Sequence, residues 1–489
     1  MLKFTKEGYI KCELHASTQE WSQDSLRASF CHALSEMYKT EVPLYGDLVD
    51  LVHQADTETI IAQAKRSSND LTDADDILPA RHRVERHGAI RLGTAQELTT
   101  IRRLFAIMGM HPVGYYDLTL AGFPMHATAF RPTSPEALSR HPFRVFTTVL
   151  RMDLLTPRTR LLAERALSQR SIFTDRLQTL IGIAESRQQQ NPFTPEAGQE
   201  LITEALKTFR WHSHATVTLD EYQTLKAEHP LIADIVSFPN CHINHLTPRT
   251  LDIDAVQSRM WEAGMPAKER IEGPPRRNCP ILLRQTSFKA REETVFFRTG
   301  HGEYVKGSHT ARFGEVEQRG LALTRKGRKL YDEILAAVNT EVTEKGIGAG
   351  DAQYECILER HFQRFPDELG ELWAQELAFF YYHVTPKGSK GLNGLGSASV
   401  SQLLREGVLE YEPITYEDFL PLSAGGIFNS NLGNTTQSKR LIMEAEPDLD
   451  GFHRMLGVPT TDEFSLYARM QRDSLEQCRV QLGLEEIAE

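Results

Sequence analysis

Two histidines stand three residues apart in SFPNCHINHLTPRTLDID, residues 237–254, between apolar runs and ahead of Pro248, Arg249, Asp252 and Asp254. Histidines so placed serve as metal ligands, as a general base, or as hydrogen-bonded residues of a polar loop. If HINHLTPR is extended, successive side chains alternate between faces, so His242 and His245 point to opposite sides and only one addresses a given site. His245 then shares its side with Thr247 and Arg249, unless Pro248 disturbs the alternation. A helix would put both histidines on one face, but Pro248 and the lack of an apolar helical stripe argue against it.

Two other stretches carry compatible groups. In VERHGAIR, His87 and Arg91 are four residues apart, which on a strand is one face. A metal ligand and a guanidinium able to grip a carboxylate bidentately would then share a cavity. The plain alternative is an ordinary salt bridge around Arg91 and a partly exposed histidine. In SHTARFGEVEQRG, Glu315 and Glu317 alternate with Val316, and His309 lies just upstream. Two acids on one face repel, so one of them neutralises a cation or an arginine; the alternative is a solvated strand edge. Together the three stretches offer His, His and a carboxylate. That donor set holds ferrous iron with positions open for substrate and oxygen, or catalytic zinc with a water; spacing does not choose between them. No convincing HxD or HxE spacing is present, and no HExxH helix.

Further polar groups surround these. EGPPRRNCPILLRQTSFKA offers Arg276, Arg277, Arg284 and Lys289, and Ser423 sits in the Gly-rich turn of YEDFLPLSAGGIF. Ser423 has no GxSxG elbow, and there is neither a P-loop nor a dinucleotide fingerprint. The odd separation of His126 and Arg131 gives them no shared strand face, which suits supporting or structural roles.

The elements that must position these groups are mixed. Leu26, Phe30, Ala33, Leu34 and Met37 recur at helical period, predicting a helix over about Ser25–Tyr38. VERHGAIRLG reads as strand and turn, followed by a helix opened by Thr94 and Glu97 at capping-box spacing. Residues 114–132 read as paired short strands or as strand and loop, 154–188 and 196–209 mainly as helix. From Ile232 to Phe313 the runs LIADIVSF, PILLRQTSF and ETVFFRTG favour strands; ALTRKGRKLYDEILAAV is helical again, and 385–400 reads as an exposed loop.

Composition sets the bounds. The 489 residues are 40% apolar and 25% charged, ordinary for a globular chain with a substantial core. A net charge of -11 argues against a broad nucleic-acid surface. MLKFTKEGYIKCELHAS contains no apolar stretch of signal-peptide length, and no run approaches the ~18 apolar residues of a membrane span, so a soluble, cytoplasmic chain is expected. Six scattered cysteines without a CxxC pair predict reduced thiols.

Several longer motifs, VERHGAIRLGTAQEL, GYYDL, HATAFRP, TFRWH, HINHLTPRTLDID, EGPPRR, ILLRQTSFKA, TARFGEVEQRGLALT and ITYEDFLP with SAGGIF and SNLG, resemble the 2-oxoadipate dioxygenase/decarboxylase family, also called 2-hydroxyglutarate synthase. The resemblance spans roughly residues 25–475. It implies an α+β fold with a vicinal-oxygen-chelate-like sheet enclosing a metal site and substantial added helices. The chain would divide into an N-terminal extension (1–24), one catalytic unit (25–475) with a helical insertion at about 154–230, and a C-terminal tail (476–489).

The resemblance further implies ferrous iron, Fe(2+), held by His87, His245 and Glu317, with Glu315 as the alternative acid. It places the substrate-binding arginine at Arg91 and substrate contacts at Leu422, where a family member carries valine, and Ser423. His242, Glu315, Arg284 and Arg249 would lie around the ligands. The implied reaction converts 2-oxoadipate and O2 to 2-hydroxyglutarate, of D configuration, and CO2, as a step of lysine degradation in a monomer or small homo-oligomer that binds neither nucleic acid nor membrane. Two other classes compete: a zinc-dependent hydrolase or lyase acting on a small carboxylic acid, and a non-enzymatic, metal-dependent small-acid sensor.

Overall fold

The computed structural model describes residues 21–66, 84–186, 193–300, 302–348, 351–388, 396–420, 442 and 445–488. Strand β1 (Glu85–Leu92) is buried along its whole length. Ile90 and Leu92 enter an apolar cluster with Phe30, Phe105 and Phe143, while Ala89 joins a second cluster on the other face. Strict alternation thus sends His87, Ala89 and Arg91 together to one side. A β-bulge between Glu85 and His87 breaks this pattern at the start of the strand. Glu85 accepts hydrogen bonds from the Ser35 and Tyr45 hydroxyls, while Arg86 donates to Glu417. The extra residue re-aims the strand so that Arg86 and His87 serve neighbouring parts of the same buried network.

Strands β2 (His111–Asp117), β3 (Met125–Arg131) and β4 (Arg144–Leu150) follow. Further along come β5 (His214–Thr218), β6 (His245–Pro248), β7 (Leu283–Ser287), β8 (Glu292–Arg298), β9 (Tyr304–Thr310) and β10 (Phe313–Arg319). Seven of them form one curled sheet in the order β2-β3-β4-β1-β6-β10-β7, and β5-β8-β9 form a smaller one. The large sheet has two related halves. In the first, β1, the helix Ala95–Ile107 and the meander β2-β3-β4 return the chain parallel to β1. In the second, β6, the helix Ile253–Glu262, β7 and finally β10 do the same beside β6. The halves join where β1 and β6 pair antiparallel, near the middle of the sheet. The chain is therefore mixed α+β, a curled sheet with substantial helices, the mixed class expected from the sequence.

The helix predicted over Ser25–Tyr38 runs Gln23–Glu41, capped by the Ser22 side chain. Helices Pro157–Ser168, Asp175–Ser186, Pro195–Phe209 and Leu219–Glu228 occupy most of the span read as a helical insertion, with β5 among them. LIADIVSF, expected to be a strand, is instead the helix Pro230–Ser237. Pro230 stands in its first turn, the His229 ring accepts from the Leu231 N–H, and Ile232 to Ser237 are all buried. A short run with no polar face carries no usable period, so the proline decides it. Near the C-terminus, the helix Glu463–Leu482 packs on β11 (Phe380–Val384). Strand β12 (Ser397–Ser399) lies inside the stretch read as an exposed loop, and β13 (Leu409–Pro413) pairs with β11. Strand β14 (Glu486–Ala488) pairs with β12, so the span read as a C-terminal tail carries part of a helix and a paired strand. No helix among the described residues is long and apolar enough to cross a membrane.

Candidate active site

The strand register brings distant residues together. Ala89 pairs with His245, His245 with Phe313, and His87 with Thr247. Glu315, two residues beyond Phe313, therefore joins His87 and His245 on one face. One donor atom from each of His87, His245 and Glu315 lies within 4.8 Å of the others, and all three side chains are buried. His87 Nε2 is 3.1 Å from Glu315 Oε1; that oxygen accepts from Gln285 Nε2 at 2.5 Å, and the Thr247 hydroxyl lies 3.2 Å from it and 3.1 Å from His87 Nε2. Both ring nitrogens of His245 and Oε2 of Glu315 are buried without a hydrogen-bond partner. Buried polar atoms are rarely left so. Two imidazoles and a carboxylate converging with unspent lone pairs fit a divalent metal ion.

Glu317, the acid on which the resemblance put the third ligand, is engaged elsewhere. His87 Nδ1 donates to its Oε2 at 2.8 Å, and Arg319 holds the carboxylate at 2.5 and 2.9 Å. Burial pushes the Glu317 carboxyl up, but Arg319 and His87 outweigh it and hold it well below the usual range. An ionised carboxylate only accepts, so His87 carries its proton on Nδ1 and turns Nε2 toward Glu315 and His245. Burial pulls the His87 pKa down, yet the charges and hydrogen bonds of Glu317 and Glu315 raise it overall. His245 lies well below the ordinary histidine value, through burial first and then His87 and Arg91. That shift favours the neutral imidazole, the form able to bind a metal ion.

Arg91 follows on the same face of β1. Its Nη1 donates to Asp234 Oδ2 at 2.6 Å. Asp234 belongs to the helix misread as a strand, and sequence reasoning missed it. The signal was a lone acid inside an apolar run, since a buried carboxylate needs a partner. His242 lies away from the His87–His245–Glu315 group, with its Nε2 3.2 Å from Asp234 but out of line for a hydrogen bond, and its ring edge-on to Trp211. His309 donates to Asp234 from Nε2 at 2.8 Å.

The chain returns over this cluster at Tyr416–Leu420. Phe419 stands edge-on to the His87 ring at 4.9 Å, with Phe146 5.1 Å away and the Arg319 guanidinium 5.3 Å from its centroid. Glu417 is gripped by Arg86 and Arg144, and Asp418 accepts two hydrogen bonds from Arg131 at 2.7 and 2.9 Å. Arg131 is thus an anchor, in keeping with the structural role its spacing suggested, while His126 meets the Tyr115 hydroxyl at 2.9 Å. Leu422 and Ser423 lie outside the described residues.

The remaining basic residues are engaged in the scaffold. Arg284 pairs with Asp254 at 2.6 Å, Arg276 with Asp252 at 3.2 Å, and Lys289 with Glu269 at 2.6 Å. Arg277 donates to the carbonyls of Phe365 and Pro366, and the Arg249 backbone bridges that of Glu317. Lys268 was not foreseen. It is buried, its backbone N–H donates to the Ser287 carbonyl, and burial lowers its ammonium to about 7.

A family model described as 2-oxoadipate dioxygenase/decarboxylase matches residues 30–431. A protein of that name from Escherichia coli (strain K12) is 49% identical over 458 residues, covering 93% of this chain and 98% of that protein. Its counterpart from Pseudomonas putida is 47% identical over 470 residues, or 95% and 98% of the two chains. The crystal structure of hydroxyglutarate synthase from Pseudomonas putida in complex with 2-oxoadipate superposes with a TM-score of 0.82 at 45% identity, covering 96% of this chain and 100% of that one.

Proposed function

The chain belongs to the 2-oxoadipate dioxygenase/decarboxylase family, and from that premise we propose that it is an Fe(2+) oxygenase converting 2-oxoadipate and O2 to 2-hydroxyglutarate and CO2. The observation that carries the reading is the convergence of His87, His245 and Glu315 in a buried, partly unsatisfied cluster. We place the acidic ligand on Glu315, because Glu317 is already engaged by His87 and Arg319. A bound ferrous ion would supply the dioxygen chemistry and a chelation point for a 2-oxo acid.

The atom balance needs no added reductant. The C1–C2 bond of 2-oxoadipate breaks and C1 leaves as CO2. C2 becomes a carboxyl carbon, and the neighbouring methylene gains a hydroxyl. One oxygen atom of O2 ends in the new carboxyl group and the other in the hydroxyl. The substrate supplies the electrons.

The protein's own groups orient and protect. Glu317 fixes the His87 tautomer, so that Nε2 faces the metal position. Arg91 holds an anionic end of the substrate. Phe419 and Phe146 crowd the His87 side and keep water from it. Leu422 and Ser423 follow the anchored Tyr416–Leu420 stretch after Pro421 and are proposed to contact substrate. We take residues 25–475 as one catalytic unit, since the groups named here run from His87 to Ser423.

The test is stoichiometry. Iron-loaded protein given 2-oxoadipate should consume one O2 per CO2 released and form 2-hydroxyglutarate. Bound zinc with no oxygen uptake after iron loading favours the hydrolase or lyase reading, and binding without turnover favours a sensor. Replacing Arg91 with Ala should raise the substrate concentration required while leaving metal content intact.

A further inference from the structure

Behind Arg91 lies a row of polar groups that the proposed reaction does not use directly. Asp234 Oδ2 accepts from Arg91 Nη1 at 2.6 Å and lies 3.3 Å from Asn244 Nδ2. Asp234 Oδ1 accepts from His309 Nε2 at 2.8 Å. With that nitrogen donating, His309 Nδ1 is left to accept, and the Tyr222 hydroxyl donates to it at 2.8 Å. Arg91, Asp234, Asn244, His309 and Tyr222 are all buried. They come from five separate places: β1, the helix Pro230–Ser237, the turn before β6, β9, and the helix Leu219–Glu228.

Folding has thus gathered a four-membered chain, Tyr222 to His309 to Asp234 to Arg91, that ends at the guanidinium beside the ligand cluster. A buried arginine with no anionic partner is costly and has many rotamers to choose among. The Asp234 carboxylate supplies a counter-charge and fixes the rotamer before substrate arrives. Asp234 is itself locked from behind, so it carries orientation as well as charge. Burial pushes the Asp234 carboxyl up, but the neighbouring His242 and Arg91 and the hydrogen bond from His309 offset this and hold it well below the usual range.

We propose that Asp234, backed by His309 and Tyr222, is a positioning residue that pre-orients Arg91 for the substrate carboxylate, and so sets affinity for the 2-oxo dicarboxylate rather than the rate of its oxidation. This rests on the reading of Arg91 given above. A group that acts on uniform binding moves KM and leaves kcat in place.

The experiment compares full-length, iron-loaded wild type with Asp234→Asn, Asp234→Glu and Tyr222→Phe. KM and kcat for 2-oxoadipate are measured, together with iron content and equilibrium binding of 2-oxoadipate without oxygen. Asp234→Asn should raise KM and the binding constant by ~10-fold or more, the usual scale for a charge-assisted contact. Its kcat and iron content should stay close to wild type. Asp234→Glu, which keeps the charge, should recover part of the loss, and Tyr222→Phe should raise KM by about threefold. An unchanged KM in Asp234→Asn overturns the proposal, as does a joint collapse of kcat, KM and iron content in both Asp234→Asn and Tyr222→Phe. If Asp234→Asn does not fold, Tyr222→Phe decides by the same KM criterion. A wild type that neither binds nor oxidises 2-oxoadipate removes the functional reading and this one with it. Wild-type turnover beside an unaltered Asp234→Asn removes this one alone.

Discussion

At the scale of single residues, the two histidines of HINH separate by role. His245 reaches His87 and Glu315, whereas His242 packs edge-on against Trp211 beside Asp234. Replacing His245 with Ala should abolish iron binding, and replacing His242 should leave iron content near wild type. An anaerobic iron titration of both variants checks this, and equal affinity in His245→Ala and wild type would remove His245 from the ligand set. Strand alternation accounts for His245, which shares a face with His87 and Glu315, but not for His242, which precedes β6 and lies beside Asp234. Alternation is not enough to separate Glu315 from Glu317, because residues two apart share a face. That choice depends on Arg319 and on the far nitrogen of His87, contacts made across 230 positions of sequence in the second case.

At the scale of elements, most strands and long helices were legible because their periods are clean. The helix Pro230–Ser237 was not, and Asp234 was lost with it. A run buried on every side shows no face, and partner identity comes only from tertiary packing. The sheet also relies on close approaches that a period does not reveal. A Cβ on Gly314 would sit 2.4 Å from the Phe288 ring and 3.0 Å from Tyr45. Both rings are buried, so the strand rather than the rings would have to shift. Gly314→Ala should therefore cost about 1–3 kcal/mol of stability and weaken metal binding, although it touches no ligand. Urea unfolding and iron titration read the two effects, and an unchanged unfolding midpoint would show that β10 has more slack than its packing implies.

At the scale of the whole molecule, the site is assembled from both halves of the sheet and closed by a segment anchored on buried arginines, so stability and site geometry share the same ionised groups. Burial lowers His126 and His141 to about 4, from an ordinary value of 6.5. The unfolded chain therefore protonates first, and folding stability falls as pH drops from about 6.5 toward 4. Arg86 and Arg144 outweigh burial and hold Glu417 at about 2, below its ordinary 4.5. Its contribution is complete above the ordinary value and is lost as pH falls from there toward 2. Metal-free His126→Gln/His141→Asn protein should show a flatter decline in thermal midpoint between pH 6.5 and 4 than metal-free wild type. Parallel curves would rule out these two histidines as the source.

On the proposed assignment, Glu315 completes the metal centre while Glu317, two residues on, orients His87. Anaerobic iron titration of Glu315→Gln and Glu317→Gln, side by side, tests it most directly. Glu315→Gln should fail to bind iron stoichiometrically. Glu317→Gln should still bind one equivalent, with affinity lowered by about 10–100-fold through the loosened His87. Full-strength binding by Glu315→Gln together with loss of binding in Glu317→Gln would contradict the account.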